Sequence, residues 1–127
     1  MGLALWKEGK DVAAITELRA AADIQPSAEI YHWLAWIALQ RHDLDGAIRW
    51  ATRLAEIDRN YNKGSGYAIR AAAFYQQKNE AYAYPNAKEA CDRGDAYSCT
   101  LADYLWEQRD RWATPAMLQQ LKSPSSH

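Results

Sequence analysis

Stretches in which apolar residues return at helical spacing alternate along this chain with short polar breaks. The clearest runs from Asp43 to Asp58, where Ala47, Ile48, Ala51, Leu54 and Ala55 fall on one face of a helix. The same pattern stands earlier at Ala14, Ile15, Leu18, Ala21 and Ala22. Even the ends agree, Ala22-Asp23-Ile24 against Ala55-Glu56-Ile57. A copy displaced by about one helix pair is the mark of stacked helical repeats.

Turn and cap residues divide the rest. A first helix is predicted over Leu3–Glu8, stopped by Gly9, and a second from about Val12 to Ile24, capped by Asp11. Pro26-Ser27 breaks the pattern, and Ile30–Gln40 resumes it with a broad apolar surface. After Arg41-His42-Asp43 comes the helix of about Leu44–Ile57, then a turn-rich connector from Arg59 to Gly64. A fifth helix is predicted over Ser65–Gln77, with Ala71-Ala72-Ala73 allowing close approach of a neighbour. Asn79 to Tyr84 is ambiguous, and Pro85, suited to a first turn, opens a helix predicted over Pro85–Asp92. Gly94 stops it, and Asp95 caps the next, about Ala96–Gln108. Thr114-Pro115 opens a terminal helix, Pro115–Lys122, whose Met117, Leu118 and Leu121 share one side.

No single pair of these helices can bury its apolar face alone, whereas stacked pairs share a continuous core. The expected fold is therefore all-α: an α/α solenoid of about three helix pairs, with the terminal helix capping the last. It forms one domain over residues 1–122, followed by a flexible tail over 123–127. In this register Leu3–Glu8 is only the second half of a helix. Such a beginning is expected of a naturally short helix, or of a chain from which a leader or further repeats have been removed.

The first two thirds resemble tetratricopeptide repeats. Tyr31, Leu34, Ala35 and Ala38, then Ala47, Ile48, Leu54 and Ala55, match that family's small and large positions. Gly9, Ala14, Ile15, Ala21 and Pro26 match in the preceding copy. Arg59 replaces the closing proline and His42 a turn glycine. Further on, Ala90-Cys91-Asp92-Arg93-Gly94-Asp95-Ala96-Tyr97-Ser98-Cys99 resembles the junction of cysteine-rich Sel1-like repeats. Ala102-Asp103 and Arg109 depart from that pattern. The resemblance implies that Cys91 and Cys99 staple the end of one helix to the start of the next. On antiparallel neighbours they can come within disulfide reach, below about 7 Å between Cα atoms. Two reduced core thiols are the alternative. A bridge points to an oxidising, extracytoplasmic compartment such as a bacterial periplasm, and reduced thiols leave a cytoplasmic site open.

Composition narrows the function. A net charge of -1 offers no basic field for nucleic acid. No apolar run approaches the length of a membrane span. Two cysteines are too few for a structural zinc site, and their spacing is not that of a redox pair. His32 lies on a helix near Trp36, and His42 sits in a turn beside Asp43; no nucleophile has an activating context. Asp43, Asp45, Glu56 and Asp58 do not follow a calcium-loop spacing. Neither cofactor nor metal is expected, and the chain does not read as an enzyme.

Six tryptophans and eight tyrosines are more than so small a chain needs for its core. The repeat resemblance implies that the first helix of each pair lines a concave surface. Carried onto this sequence, the inward positions are His32, Trp36 and Leu39, then Ala68, Ala72 and Tyr75, then Thr100, Tyr104 and Glu107. Trp36, Tyr75 and Tyr104 read equally well as core between repeats. The expected function is a non-enzymatic module binding a protein or peptide on that face. The alternative is a bacterial immunity or inhibitor protein that neutralises a secreted toxin.

Overall fold

The computed structural model describes residues 11–124. Among them are eight helices and no strand. Six are of ordinary length: α1 (Asp11–Ile24), α2 (Ala28–Gln40), α3 (Leu44–Ile57), α4 (Ser65–Gln76), α5 (Glu80–Asp92) and α6 (Ala96–Glu107). Two short ones follow, α7 (Arg109–Trp112) and α8 (Pro115–Gln120). The predicted helix Leu3–Glu8 lies outside the described residues.

Side-chain caps open four of the helices, whereas Asp11, expected as a cap, is itself the first residue of α1. Ser27 Oγ accepts from the Ile30 N–H at 3.2 Å, Asp43 Oδ1 from the Gly46 N–H at 3.1 Å, and Asp95 Oδ2 from the Ser98 N–H at 3.0 Å. Thr114 does the same for α8, accepting from the Met117 N–H at 3.1 Å. Each satisfies one of the orphan N–H groups at a helix start.

Three junctions share one turn. After α2, α4 and α5 the chain passes through a left-handed residue, His42 (φ 61°), Lys78 (φ 61°) and Gly94 (φ 102°). In each, the next N–H reaches back to a carbonyl inside the finished helix: Asp43 to Ala38, Asn79 to Phe74, Asp95 to Ala90. This is the Schellman arrangement. It reverses the chain in a few residues and makes neighbouring helices antiparallel.

Consecutive helices pack from α1 to α7, and α2 also meets α4. α4 is the middle of the molecule. Its Ile69 and Ala73 join Ala35, Ala38, Ala47 and Ala51 in one cluster, while its Ala71 joins Ala83, Tyr84, Ala87, Ala102 and Leu105 in another. The alanine run therefore serves two neighbours on opposite sides. Gly66 permits the α3 contact: a Cβ there would stand 3.0 Å from the Ala51 carbonyl oxygen and 3.1 Å from the Ala55 nitrogen. A third cluster, Ala14, Leu18, Ala22, Leu34 and Ile37, joins α1 to α2.

The structure corrects the sequence reading at α5, which begins at Glu80 rather than Pro85. Pro85 lies in the second turn, where its missing N–H leaves the Ala81 carbonyl without the usual partner. The turn before it forms because Ala83 and Tyr84 are drawn into the core, Tyr84 to 1 % exposure. Backbone bonds from Tyr82 and Ala83 to the Asn79 carbonyl fix that turn. The Asn86 amide, donating to the Tyr82 carbonyl at 2.8 Å, helps to hold the helix past the proline.

Tyr84 organises the carboxyl-terminal end. Its ring lies 5.9 Å from that of Trp106 and 5.5 Å from that of Trp112, and its hydroxyl donates to the Lys122 carbonyl. Trp112 is held by its indole N–H, which donates to the Leu105 carbonyl at 2.9 Å. Leu121 packs on the same cluster, Met117 and Leu118 are half-buried, and Pro124 is buried. Burial pushes the Tyr84 phenol up to about 12, with Asp103 and Asp92 adding to the shift and Arg109 opposing it.

Candidate functional site

Two hollows open along α4 and α6, the first of them also bounded by α2. The first, of about 340 Å³, has Trp36 and Leu39 of α2 on one side, Ala68 and Ala72 of α4 as floor, and Tyr97 and Leu101 of α6 on the other. The alanines keep the floor low, and one helix turn separates Ala68 from Ala72. Tyr97 is 88 % exposed at the rim. Trp36 is anchored, its ring standing edge-on to Trp33 at 5.8 Å.

The second hollow, of about 370 Å³, lies further along α4 and α6. Tyr75 and Tyr104 form one wall, with Lys78, Glu80, Gln108 and Arg111 around them. The two rings meet edge to face at 6.3 Å, and both remain partly open, at 39 % and 45 % exposure. Their side-chain hydrogen bond raises the Tyr75 pKa, and burial adds to it. The pair offers apolar ring surface and hydroxyl groups, in a lining that also holds Lys78, Arg111 and the acid Glu80.

The residues expected on one continuous face are thus distributed. Trp36, Leu39, Ala68 and Ala72 line the first hollow, and Tyr75 and Tyr104 the second. His32 lines neither. Its Nδ1 shares a hydrogen bond with Ser65 Oγ at 3.0 Å, and its ring lies against Trp33 and Tyr61 at 5.2 and 5.6 Å. It ties α2 to the start of α4. Burial lowers its pKa, with Glu29 pulling the other way. Thr100 is exposed and donates to the Ala96 carbonyl at 3.3 Å; Glu107 is exposed beyond the second hollow's lining. Tyr97 was not among the expected residues. It sits one turn before Leu101 in the first turn of α6, and the same inward periodicity carried one step further back would have reached it.

Cys91 and Cys99 form a disulfide, with Cα atoms 4.5 Å apart. It joins the last turn of α5 to the first turn of α6 across the Gly94 junction. Closing so short a loop contributes about 2–3 kcal/mol through the unfolded chain. Tyr97 and the start of α6, one rim of the first hollow, are thereby fixed to α5. Among the described residues no group of three or more His, Cys, Asp or Glu side chains is placed to hold a metal ion, and no helix is long and apolar enough to cross a membrane. Comparison with family models, curated proteins and solved structures finds no match for the chain.

Proposed function

We propose that this chain is a non-enzymatic binding module that takes a segment of a protein or peptide along α2, α4 and α6. One observation carries the reading: three helices that are not neighbours in sequence jointly line an alanine-floored hollow edged by aromatic rings. A repeat stack of the tetratricopeptide or Sel1-like kind accounts for it. In that arrangement α2, α4 and α6 are the first helices of successive pairs, and α3 and α5 the second. The α2–α4 contact is what such a stack requires. An amphipathic helix or extended segment suits the groove, anchoring side chains over Ala68 and Ala72 and between Tyr75 and Tyr104.

The disulfide supports an extracytoplasmic setting. It also favours the second reading, an immunity or inhibitor protein acting on a secreted toxin. Co-expression with a candidate toxin would distinguish this from a general adaptor: an immunity protein restores growth, and an adaptor does not.

The test of the groove needs a partner, recovered by affinity capture and identified by mass spectrometry. Its binding to Tyr75→Ala, Tyr97→Ala and Trp50→Ala proteins is then compared by calorimetry, each variant first shown to keep its helicity and melting temperature. Truncating an aromatic anchor in the groove weakens binding by about 2 kcal/mol. Trp50, on α3 and stacked on Tyr31 at 5.9 Å, lies away from the groove. If folded Tyr75→Ala and Tyr97→Ala both bind like the parent, the groove is the wrong surface.

A further inference from the structure

The opposite side of α2 carries a different chemistry. Residues two apart on a helix project about 200° from one another, so Leu34 and Arg41 turn away from the groove that Trp36 and Leu39 line. There, between α1, α2 and α3, is a hollow of about 280 Å³ whose lining includes four arginines. Arg19 comes from α1, Arg41 from the end of α2, and Arg49 and Arg53 from successive turns of α3. They are four of the fifteen basic residues of a chain whose net charge is -1, gathered at one place.

Among the described residues little neutralises them. Asp43 is the only acid in the lining among the described residues, and its Oδ1 already accepts the Gly46 N–H as the cap of α3. Asp11 approaches Arg41 at 3.9 Å, the limit of an ion pair. Asp45, one turn before Arg49, accepts from Gln77 at 2.9 Å and is directed toward α4. Arg53 lies over the Trp50 ring at 4.9 Å, which orients its guanidinium without cancelling its charge.

We propose that this hollow is a second binding site, and that it takes an acidic segment of a protein, presenting two or more carboxylates to Arg19, Arg41, Arg49 and Arg53. The guanidinium fork pairs with carboxylates through two parallel hydrogen bonds. Clustered carboxylates fit better than a lone phosphate, because the donors are side chains spread over three helices. The helix-start N–H that would otherwise help to gather a phosphate is occupied by Asp43. A nucleotide base finds no platform either, since the Trp50 ring is covered by Tyr31 and Arg53. The proposal does not rest on the groove reading, since it concerns other residues on another side.

The test is binding of a fluorescein-labelled hexaglutamate peptide to the full chain, followed by anisotropy at about 20 mM salt, where surface charges are weakly screened. Arg49→Gln/Arg53→Gln is the test variant; all four arginines are exposed, so helicity is retained. Lys78→Gln/Arg111→Gln removes the same charge from the second groove hollow, and Tyr97→Ala probes the first. The expected result is saturable binding by the parent, weakened at least about tenfold in Arg49→Gln/Arg53→Gln and unchanged in the other two. The proposal is overturned if the parent does not bind by about 1 mM peptide, or if Lys78→Gln/Arg111→Gln loses as much as the test variant. It is also overturned if pyrophosphate occupies the site more tightly than the peptide, since the hollow then serves a free phosphate compound.

Discussion

His42 and Lys78 hold a backbone conformation that glycine holds freely at Gly94. An L-residue in the left-handed region carries a cost of about 1–2 kcal/mol, partly offset by the greater chain entropy glycine loses on folding. His42→Gly and Lys78→Gly should therefore each raise stability, by roughly 0.5–1 kcal/mol, seen as a later urea midpoint with unchanged slope. His32 supplies a second residue-scale expectation. Its folded pKa lies below the ordinary 6.5, chiefly through burial. The unfolded chain thus binds the proton more readily, and stability rises with pH where the two states differ. The contribution is complete above 6.5 and is lost as pH falls from there toward the folded pKa. Melting temperatures taken from pH 7.5 down to 5 should fall more steeply for the parent than for His32→Gln.

At the scale of elements, α5 shows a local signal overruled by packing. A proline following an ambiguous stretch reads as a helix start, yet the start lies five residues earlier because Ala83 and Tyr84 are needed in the core. Pro85 is exposed, and its ring keeps one helical hydrogen bond from forming. Replacing it by alanine should stabilise the chain by about 1–3 kcal/mol, measured by urea denaturation. No gain on substitution would mean that Asn86 and its neighbours already compensate fully for the break. The other helices were legible because caps and periodicity agree: Ser27, Asp43, Asp95 and Thr114 each stand where a side-chain oxygen is bonded to a helix-start N–H. The one-turn α7 was not, since four residues of Arg-Asp-Arg-Trp carry no period. Trp112 is placed by a bond to Leu105 that no local pattern announces.

Across the whole molecule, what sequence could reach was the alternation of helices; what it could not reach was how side chains divide between surfaces. Trp36 on α2 and Tyr75 on α4 open into separate hollows, whereas His32, also on α2, is engaged by Ser65 from another helix. The four arginines were invisible for a similar reason. Arg19, Arg41, Arg49 and Arg53 are scattered along the chain among compensating acids, and only the packing of α1 and α3 over α2 brings their charges together. A near-neutral total thus conceals two unlike surfaces, one aromatic and one cationic, on opposite sides of α2.

The placement of tryptophan has an optical consequence. Trp33, Trp36 and Trp50 pack on the clusters between α1 and α4, whereas Trp106 and Trp112 surround Tyr84 beyond α5. α4 between them contains none. These two groups therefore emit separately, and a chain with Trp6→Phe/Trp106→Phe/Trp112→Phe reports in its fluorescence on Trp33, Trp36 and Trp50 alone. Where each element leans chiefly on its neighbours, the ends need not melt together. Fluorescence of that variant and far-ultraviolet ellipticity, recorded along one urea titration, should give separated midpoints. Coincident curves would mean that α4, buried on both flanks, transmits unfolding from one end to the other as a single event.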